Sequence, residues 1–217
     1  MLSSRVRTRW KQGWSAALLL WLGIRVRHTG QLPSGPLLLV ANHVSWLDIF
    51  LINAVVPVVF VSKAEVRQWP LFGWFAAQNQ TIFLERGVRG QASVIGKAVA
   101  EALSGGQIVA LFPEGTTSLG NVLLPFHGAL LQPALSAGAV VSPVAIQYIE
   151  GEEPPPSSSA AYIGEMSLWQ SLWKVAGAQG LEAHLTLLPA LSGNDRKALA
   201  REARTAIGLK LGITLPD

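Results

Sequence analysis

Short apolar runs alternate with segments of helical periodicity along most of the chain, and this alternation constrains the fold more than any other sequence feature. Such runs are typical of buried strands, whereas the segments between them repeat apolar residues every three or four positions. The predicted strands are residues 37–41, 58–62, 81–84, 108–112, 140–148 and 182–188. The predicted helices are residues 49–56, 91–103, 128–137, 167–176 and 195–211. The pattern predicts one α/β domain over residues 31–217, a single layered domain whose mixed, mainly buried sheet is covered by helices.

The composition excludes several classes of protein. Half of the residues are hydrophobic and 14% are charged, whereas about 25% are charged in an average soluble domain. This composition differs from that of a disordered chain or a coiled coil. The chain has no cysteine, which excludes disulfides, thiolate metal sites, iron–sulfur clusters and a cysteine acyl-enzyme.

Positive charge is concentrated at the N-terminus. The chain has 17 lysines and arginines and 13 acidic residues, which gives a net charge of +4. Residues 1–27 hold six of the basic residues and no acidic one, so acidic residues slightly outnumber basic ones in the rest of the chain. Nucleic-acid binding needs a basic face interleaved with aromatic residues, which residues 28–217 do not offer. We therefore expect no nucleic-acid partner, and an N-terminal segment suited to a membrane surface with anionic lipid.

Residues 13–24 form an uncharged, mainly apolar run between two basic clusters. The run is shorter than the roughly 20 residues that a membrane-spanning helix needs. A secretory signal has the same order of features, but no small-residue cleavage site follows here. An ordinary core helix and a helix lying in the plane of a membrane surface are the other interpretations. Trp10, Trp14 and Trp21 are typical of the membrane–water interface, so the sequence favours an interfacial membrane-anchor segment over residues 1–30.

His43 and Asp48 lie five residues apart in N-H-V-S-W-L-D, where the first predicted strand gives way to a helix. In α/β proteins, ligands bind at such strand ends. A histidine can act as a general base near neutral pH, and a neighbouring carboxylate can orient its ring. The alternative is structural: Ser45 caps the helix, Asp48 completes a capping box, and His43 is an ordinary loop histidine.

Two further groups of polar residues follow predicted strands. The segment F-P-E-G-T-T-S contains Glu114, Gly115, Thr116 and Thr117. Its N–H and hydroxyl donors suit an oxyanion or a phosphate, although an ordinary turn has the same residue types. Arg86, in F-L-E-R-G, can clamp a phosphate with two N–H groups or pair with an acidic residue at the surface. The sequence has no Walker loop, no serine-hydrolase elbow and no metal-ligand spacing, so no metal site is predicted.

These strand-end segments, in this order, resemble the sequence blocks of the glycerolipid acyltransferase family, in particular the bacterial 1-acylglycerol-3-phosphate acyltransferases. N-H-V-S-W-L-D resembles the histidine–aspartate block of that family, F-L-E-R-G its arginine block, and F-P-E-G-T-T-S its glutamate–glycine block. V-V-S-P-V-A-I-Q-Y resembles the fourth block, a hydrophobic strand that contains a proline. The resemblance extends from about residue 37 to residue 148.

The resemblance implies transfer of a fatty acyl group from acyl-CoA or acyl-carrier protein to the hydroxyl group of a lysolipid. It implies that His43 is the catalytic base and that Asp48 orients it. The residues implied to bind substrate are Arg86, Glu114, Gly115, Thr116, Thr117 and Lys63. The reaction needs no metal and no cofactor, because the acyl donor is itself a substrate.

Two positions depart from the pattern of the family. The glutamate–glycine block commonly continues with arginine where this chain has Thr117, and a later stretch often has lysine or arginine where this chain has His127. Each missing charge-assisted contact to a phosphate is worth roughly 1.5–3 kcal/mol, which Arg86, Lys63 or Arg89 would have to supply. The acceptor expected first is 1-acylglycerol-3-phosphate, whose acylation gives phosphatidic acid in phospholipid biosynthesis. The alternative acceptor is another lysolipid, such as lyso-ornithine lipid.

Two other functions are compatible with these motifs. A non-catalytic membrane lipid-binding protein could have the same fold, although His43 and Asp48 are both present. A hydrolase of the same thioester would use water in place of the lysolipid. For acyl transfer we expect attachment to the cytoplasmic face of the inner membrane, because the acyl donor is available there and basic residues suit anionic lipid.

Overall fold

The secondary structure comes from a computed structural model that describes residues 4–63, 82–84, 91–152 and 154–215. The helices are α1 (Ser4–Trp21), α2 (Leu47–Val55), α3 (Gln91–Ser104), α4 (Gln132–Ser136), α5 (Leu168–Gly177) and α6 (Arg196–Leu211). The strands are β1 (Arg25–Thr29), β2 (Leu37–Ala41), β3 (Val59–Lys63), β4 (Ile82–Leu84), β5 (Ile108–Leu111), β6 (Val140–Glu150) and β7 (Leu181–Leu187). The sequence also predicts a turn at residues 69–74 and a glycine-containing break at residues 87–90. Both lie outside the described residues.

The strands form one sheet in the order β1-β7-β6-β2-β5-β3-β4. Neighbouring strands are parallel except β6 and β7, which are antiparallel. The central strand β2 pairs with β6 on one side and β5 on the other, and all of its residues are buried. Because both of its faces are covered, β2 is apolar at every position. The predicted α/β domain with a mixed sheet is confirmed.

Helices cover both faces of the sheet and divide the core into two layers. Alternate residues of a strand point to opposite faces. Leu37 and Leu39 pack in the layer of α1, α2 and α5, whereas Leu38 and Val40 pack in the layer of α3, α4 and α6. The parallel strands β2 and β5 end at the same edge of the sheet, so the loops that follow them meet above this two-sided core.

Helix α1 packs one side against the domain and exposes the other. Leu19 is fully buried, and the rings of Trp14 and Phe50 lie with their centroids 5.7 Å apart. The Gln12 amide donates to two carbonyl oxygens at the end of α2, at 3.1 and 3.3 Å. The large apolar side chains that α1 exposes are Val6, Trp10, Trp14, Leu20 and Trp21. The helix thus has the buried face of a core helix and an exposed aromatic face, and its role as a membrane anchor stays a prediction.

Within the described ranges, none of the helices combines the length and the apolar character that crossing a bilayer would require.

Two local predictions need correction. Ser45 is not the N-cap of α2, which begins at Leu47 after Trp46. The Asp48 carboxylate itself accepts from the Ser45 N–H group at 2.9 Å, while the Ser45 hydroxyl is buried without a hydrogen-bond partner among the described residues. The predicted helix at residues 128–137 is divided into a 3-10 helix, Gly128–Leu131, followed by α4.

Strand β1 is an element that the sequence analysis does not predict. It pairs in parallel with β7, from Arg25 opposite Glu182 to Thr29 opposite Thr186. Four of its five residues are exposed, so it lacks the apolar pattern of the other strands. Residues 25–29 therefore belong to the sheet. The membrane-anchor role of residues 1–30 stays a prediction.

Candidate active site

The loop between β2 and α2 brings His43 and Asp48 together. His43 Nδ1 lies 2.8 Å from Asp48 Oδ2. Because a carboxylate only accepts hydrogen bonds, Nδ1 carries the ring proton and Nε2 keeps the lone pair that a base needs. The His43 side chain is 19% exposed, whereas that of Asp48 is fully buried. This arrangement is suited to a histidine that removes a proton and a carboxylate that stabilises the resulting imidazolium.

Asp48 accepts four hydrogen bonds. Besides the ring of His43, its Oδ2 accepts from the backbone N–H groups of Val44 and Ser45, at 2.8 and 2.9 Å. Its Oδ1 accepts from the Tyr148 hydroxyl on β6 at 2.7 Å. Burial, and then the adjacent Asp48 carboxylate, raise the pKa of Tyr148 well above its ordinary value, so the hydroxyl remains a donor. The loop and the sheet together hold the carboxylate in one orientation.

The imidazole of His43, in the loop after β2, stacks on an aromatic ring of the loop after β5. Its ring lies on that of Phe112, with centroids 3.9 Å apart and an interplanar angle of 9°. Phe112 in turn stacks with Phe60 of β3 at 6.0 Å. Stacking fixes the plane of the ring, and the bond to Asp48 fixes its rotation within that plane. The direction of Nε2 is thereby set before a substrate binds.

Glu114 joins the loop after β5 to the loop after β2. Its Oε1 accepts from the His43 N–H group at 2.8 Å, and its Oε2 accepts from the Leu124 N–H group at 3.0 Å. The Ser118 N–H group donates to the His43 carbonyl oxygen at 2.8 Å. Burial raises the pKa of Glu114, and the two N–H donors and His43 oppose that rise. The observed contacts of Glu114 are those of a link between loops, and its implied role in headgroup binding stays a prediction.

Asn42 fixes the beginning of the loop between β2 and α2, called the histidine loop below, to the sheet. Its Nδ2 donates to the Ile146 carbonyl oxygen at 2.9 Å, and its Oδ1 accepts from the Ile146 N–H group at 2.8 Å. Asn42 and Tyr148 are site residues that the sequence analysis does not single out. The only local signal for Asn42 is a polar side chain directly after an apolar strand.

Gly115, Thr116 and Thr117 continue the loop beyond Glu114, and His127 lies beside them. Gly115 has φ of +69°, a left-handed conformation that favours glycine. A Cβ atom at this position would lie 3.7 Å from His127 Cδ2. Thr116 is exposed, whereas the Thr117 hydroxyl donates to the carbonyl oxygen of Tyr162. The two positions that depart from the family pattern, 117 and 127, are therefore both close to Gly115 in the fold.

The structure does not describe the side chains of the predicted basic residues. Arg86 and Arg89 lie outside the described residues. Lys63 ends β3, but its side chain is not among those described. Their roles stay predictions. In the part of the chain that the structure describes, no three histidine or acidic side chains lie close enough to share a metal ion.

Comparison with known proteins identifies similar sequences and a similar fold. The sequence matches the family described as Acyltransferase over residues 23–147, which include both loops. A lyso-ornithine lipid O-acyltransferase from Pseudomonas aeruginosa is 43% identical over 206 residues, which cover 94% of this chain and 78% of that protein. A 1-acyl-sn-glycerol-3-phosphate acyltransferase from Neisseria gonorrhoeae is 36% identical over 208 residues, which cover 94% of this chain and 80% of that protein.

Among solved structures, the crystal structure of the 1-acyl-sn-glycerophosphate acyltransferase PlsC from Thermotoga maritima superposes with a TM-score of 0.69. The two sequences are 22% identical, and the match covers 97% of this chain and 81% of that one. This likeness supports the arrangement of sheet and helices described above.

Proposed function

The chain belongs to the acyltransferase family, and from this premise we propose that it transfers a fatty acyl group from an acyl thioester to a hydroxyl group of a lysolipid. The observation that carries the proposal is the contact of 2.8 Å between His43 Nδ1 and the buried Asp48 carboxylate. This contact leaves Nε2 of a partly exposed ring as the base. Three of the four sequence blocks that resemble glycerolipid acyltransferases contribute contacts to this site, namely those that contain His43, Glu114 and Tyr148.

The proposed reaction has one chemical step with two substrates. The lysolipid oxygen attacks the thioester carbonyl carbon while His43 Nε2 accepts the hydroxyl proton. A C–O bond forms, the C–S bond breaks, and the departing thiolate of acyl-CoA or acyl-carrier protein takes up the proton that His43 Nε2 accepted, which regenerates the base. General-base assistance of this kind is typically worth about 10²–10⁴-fold in rate. A thioester is already activated, so the proposed reaction uses no resident cofactor or metal, and a chain without cysteine can catalyse it without an acyl-enzyme.

For the acceptor we favour lyso-ornithine lipid, which reverses the order expected from the sequence. Two observations support this choice. The Pseudomonas aeruginosa relative carries that substrate in its name, and positions 117 and 127 offer a threonine and a histidine where a phosphate acceptor would meet fixed cations. The Thr117 hydroxyl is moreover bonded to the backbone of Tyr162. The second candidate is 1-acylglycerol-3-phosphate, favoured by the name of the Neisseria gonorrhoeae relative.

The acceptor is tested by acyl transfer from long-chain acyl-CoA or acyl-carrier protein in mixed micelles, with the two lysolipids in parallel. We expect higher kcat/KM with lyso-ornithine lipid, and the opposite preference would contradict the choice. Thr117→Arg combined with His127→Lys should raise the relative kcat/KM for the phosphate acceptor by about tenfold or more, because charged contacts are worth roughly 1.5–3 kcal/mol each. The matched control is Val94→Arg with Leu209→Lys, which adds the same charge at exposed positions of α3 and α6. Release of free fatty acid without any acceptor would indicate a hydrolase.

We place the enzyme at the cytoplasmic face of a bacterial inner membrane, attached through α1. Supporting this placement are the exposed tryptophans of α1 and the excess of basic residues over residues 1–27. Replacement of Trp10 and Trp21 by serine should weaken binding to vesicles that contain anionic lipid, as measured by flotation. Unchanged binding would contradict attachment through this face of α1.

A further inference from the structure

Helix α5 exposes two tryptophans that the proposed chemistry does not use. Trp169 and Trp173 are each 64% exposed, and their rings meet edge to face with centroids 5.6 Å apart. The opposite side of the helix, with Ser171 and Val175, is buried. A capping box formed by Ser167 and Gln170 fixes where the helix begins. Two large aromatic side chains are therefore exposed to water on a helix with a defined beginning. Exposure of this much aromatic surface to water is unfavourable.

This helix is bonded to the loop that carries the catalytic pair. The indole Nε1 of Trp46, three residues after His43, donates to the Ser171 hydroxyl at 3.0 Å. The Trp46 ring also meets that of Phe50 on α2, with centroids 5.9 Å apart. The position of α5 relative to His43 is thus fixed by buried contacts.

The exposed tryptophans that the structure describes all belong to helices of one layer. Of the tryptophans whose side chains the structure describes, all but Trp46 are exposed, and all of the exposed ones lie on α1 or α5. Both helices pack on the same side of the sheet as α2. The helices on the other side expose Val94 and Leu209 as their large apolar residues, with no tryptophan among the described positions.

The charge of the two helices is of one sign. Arg9 of α1 and Lys174 of α5 are exposed, whereas Lys11 of α1 is turned to the Val58 carbonyl oxygen and is not available to a surface. Neither helix contains an acidic residue. Basic residues near an anionic surface contribute about 1 kcal/mol each, and indole rings favour the boundary between lipid and water. This combination of charge and aromatic surface suits a bilayer that contains anionic lipid.

We propose that α5 is a second membrane-contact element, whose Trp169 and Trp173 enter the interface of an anionic bilayer while α1 contacts it at another point. Because Trp46 ties α5 to the histidine loop, contact at α5 would hold the site at the membrane surface and fix its orientation there. The inference rests on the proposed function only in that a membrane-resident acceptor gives this contact a use.

The first test measures vesicle flotation with phosphatidylglycerol–phosphatidylethanolamine vesicles for the full chain. Trp169→Ala with Trp173→Ala should weaken partitioning by about tenfold or more, since the loss removes most of the apolar surface that α5 can insert. The matched control, Val94→Ala with Leu209→Ala, should bind as the wild type does. Equal binding of the tryptophan variant and the control would overturn the proposal. The proposal would also be overturned if the tryptophan variant bound vesicles as the wild type does but no longer self-associated, because a second copy of the chain would then be the occupant of this surface.

A second test reports on α5 directly and does not depend on destabilising it. Because the chain has no cysteine, a single Ala176→Cys change places an environment-sensitive dye one turn from Trp173, at an exposed position. Its emission should shift to the blue on addition of the same vesicles, whereas the dye at Glu202→Cys on α6 should show no shift. No shift at position 176 would overturn the proposal. Failure of the wild type to acylate lysolipid in detergent micelles would instead count against the proposed function and leave the vesicle result standing.

Discussion

The loop after β2 and the loop after β5 each bring one buried carboxylate to His43, and the two carboxylates are bonded differently. Asp48 accepts from the imidazole ring, from two backbone N–H groups and from the Tyr148 hydroxyl. Glu114 accepts from two backbone N–H groups, those of His43 and Leu124. The same chemical group thus contacts the side chain of the base in one loop and its main chain in the other.

Both carboxylates are buried, so burial alone does not distinguish the proposed chemical role of Asp48 from the linking role that the contacts of Glu114 indicate. What distinguishes them is the partner. A carboxylate on the imidazole acts on the charge that develops there during proton transfer, whereas a carboxylate on the backbone keeps two loops together. The predictions below separate these roles by comparing activity with stability.

The largest effect is expected where the two loops meet. His43→Ala should lower kcat by about 10²–10⁴-fold, because the general base is lost, while circular dichroism and thermal unfolding show a retained fold. Retention is expected because Asp48 keeps its two backbone donors and Tyr148. His184→Ala is the control, since that histidine lies on β7 and bonds to Glu182. A folded His43→Ala protein with wild-type turnover would refute the proposed chemistry.

Asp48→Asn and Glu114→Gln make the same chemical change in the two loops. Asp48→Asn should lower kcat by about 100-fold or more, because an amide cannot stabilise the imidazolium. Glu114→Gln should lower the melting temperature while kcat falls less than about tenfold, since the amide can accept only one of the two backbone bonds. The measurement is kcat beside the melting temperature of each variant. Equal losses of kcat in the two variants would remove the distinction between the carboxylates.

Tyr148→Phe tests whether the sheet positions Asp48 through the bond of 2.7 Å. Loss of this donor concentrates negative charge on the carboxylate, which stabilises the protonated ring of His43. The acid limb of the pH dependence of kcat/KM should therefore move to higher pH, with a fall in kcat of about tenfold. Tyr162→Phe, which removes the other tyrosine hydroxyl of the chain, should leave that limb in place. If Tyr148→Phe lowered the stability of the protein but left the acid limb of the kcat/KM profile in place, the role of Tyr148 would be one of packing alone.

The smallest effect concerns the pH dependence of stability. Burial raises the pKa of Glu114 above its ordinary value of 4.5, so the folded protein binds a proton more tightly than the unfolded chain. The contribution of this group to stability is present below the ordinary pKa and is lost as pH rises through the raised one. Denaturant unfolding at a series of pH values should show that Glu114→Gln lacks this loss. An identical pH dependence in wild type and variant would show that Glu114 does not titrate in this way.

Sequence patterns predicted the elements in which buried residues follow a regular pattern along the chain. β2, β5, β6 and β7 lie within about two residues of their predicted bounds, because the first three are apolar runs in a covered sheet and β7 alternates buried apolar residues with polar ones. β1 could not be recognised, because an exposed strand of arginines and a histidine has no apolar pattern and is recognisable only from its pairing with β7. The predicted start of α2 was wrong, because the sequence does not show that the Asp48 carboxylate accepts a hydrogen bond from the Ser45 N–H group.

The site could be predicted as far as its contacts are local. His43 and Asp48 are five residues apart, so their spacing at a strand end suggested the pair, and the resemblance to the acyltransferase family assigned it. The bond from Tyr148 to Asp48 spans 100 residues, and that from the His43 N–H group to Glu114 spans 71. Such contacts depend on which strands are neighbours in the sheet, and strand order is not encoded in local spacing.

Strand β1 has a consequence for the handling of this protein. Arg25 and Arg27 lie within 3.3 and 3.7 Å of Glu182, and charged side chains of this kind discourage a sheet edge from pairing with another molecule. A fragment that began after β1 would retain both loops of the site. It would, however, leave the part of β7 that β1 covers, from Glu182 to Thr186, with unpaired N–H and C=O groups on one side. We expect such a fragment to self-associate through that bare edge, which β1 covers in the full chain.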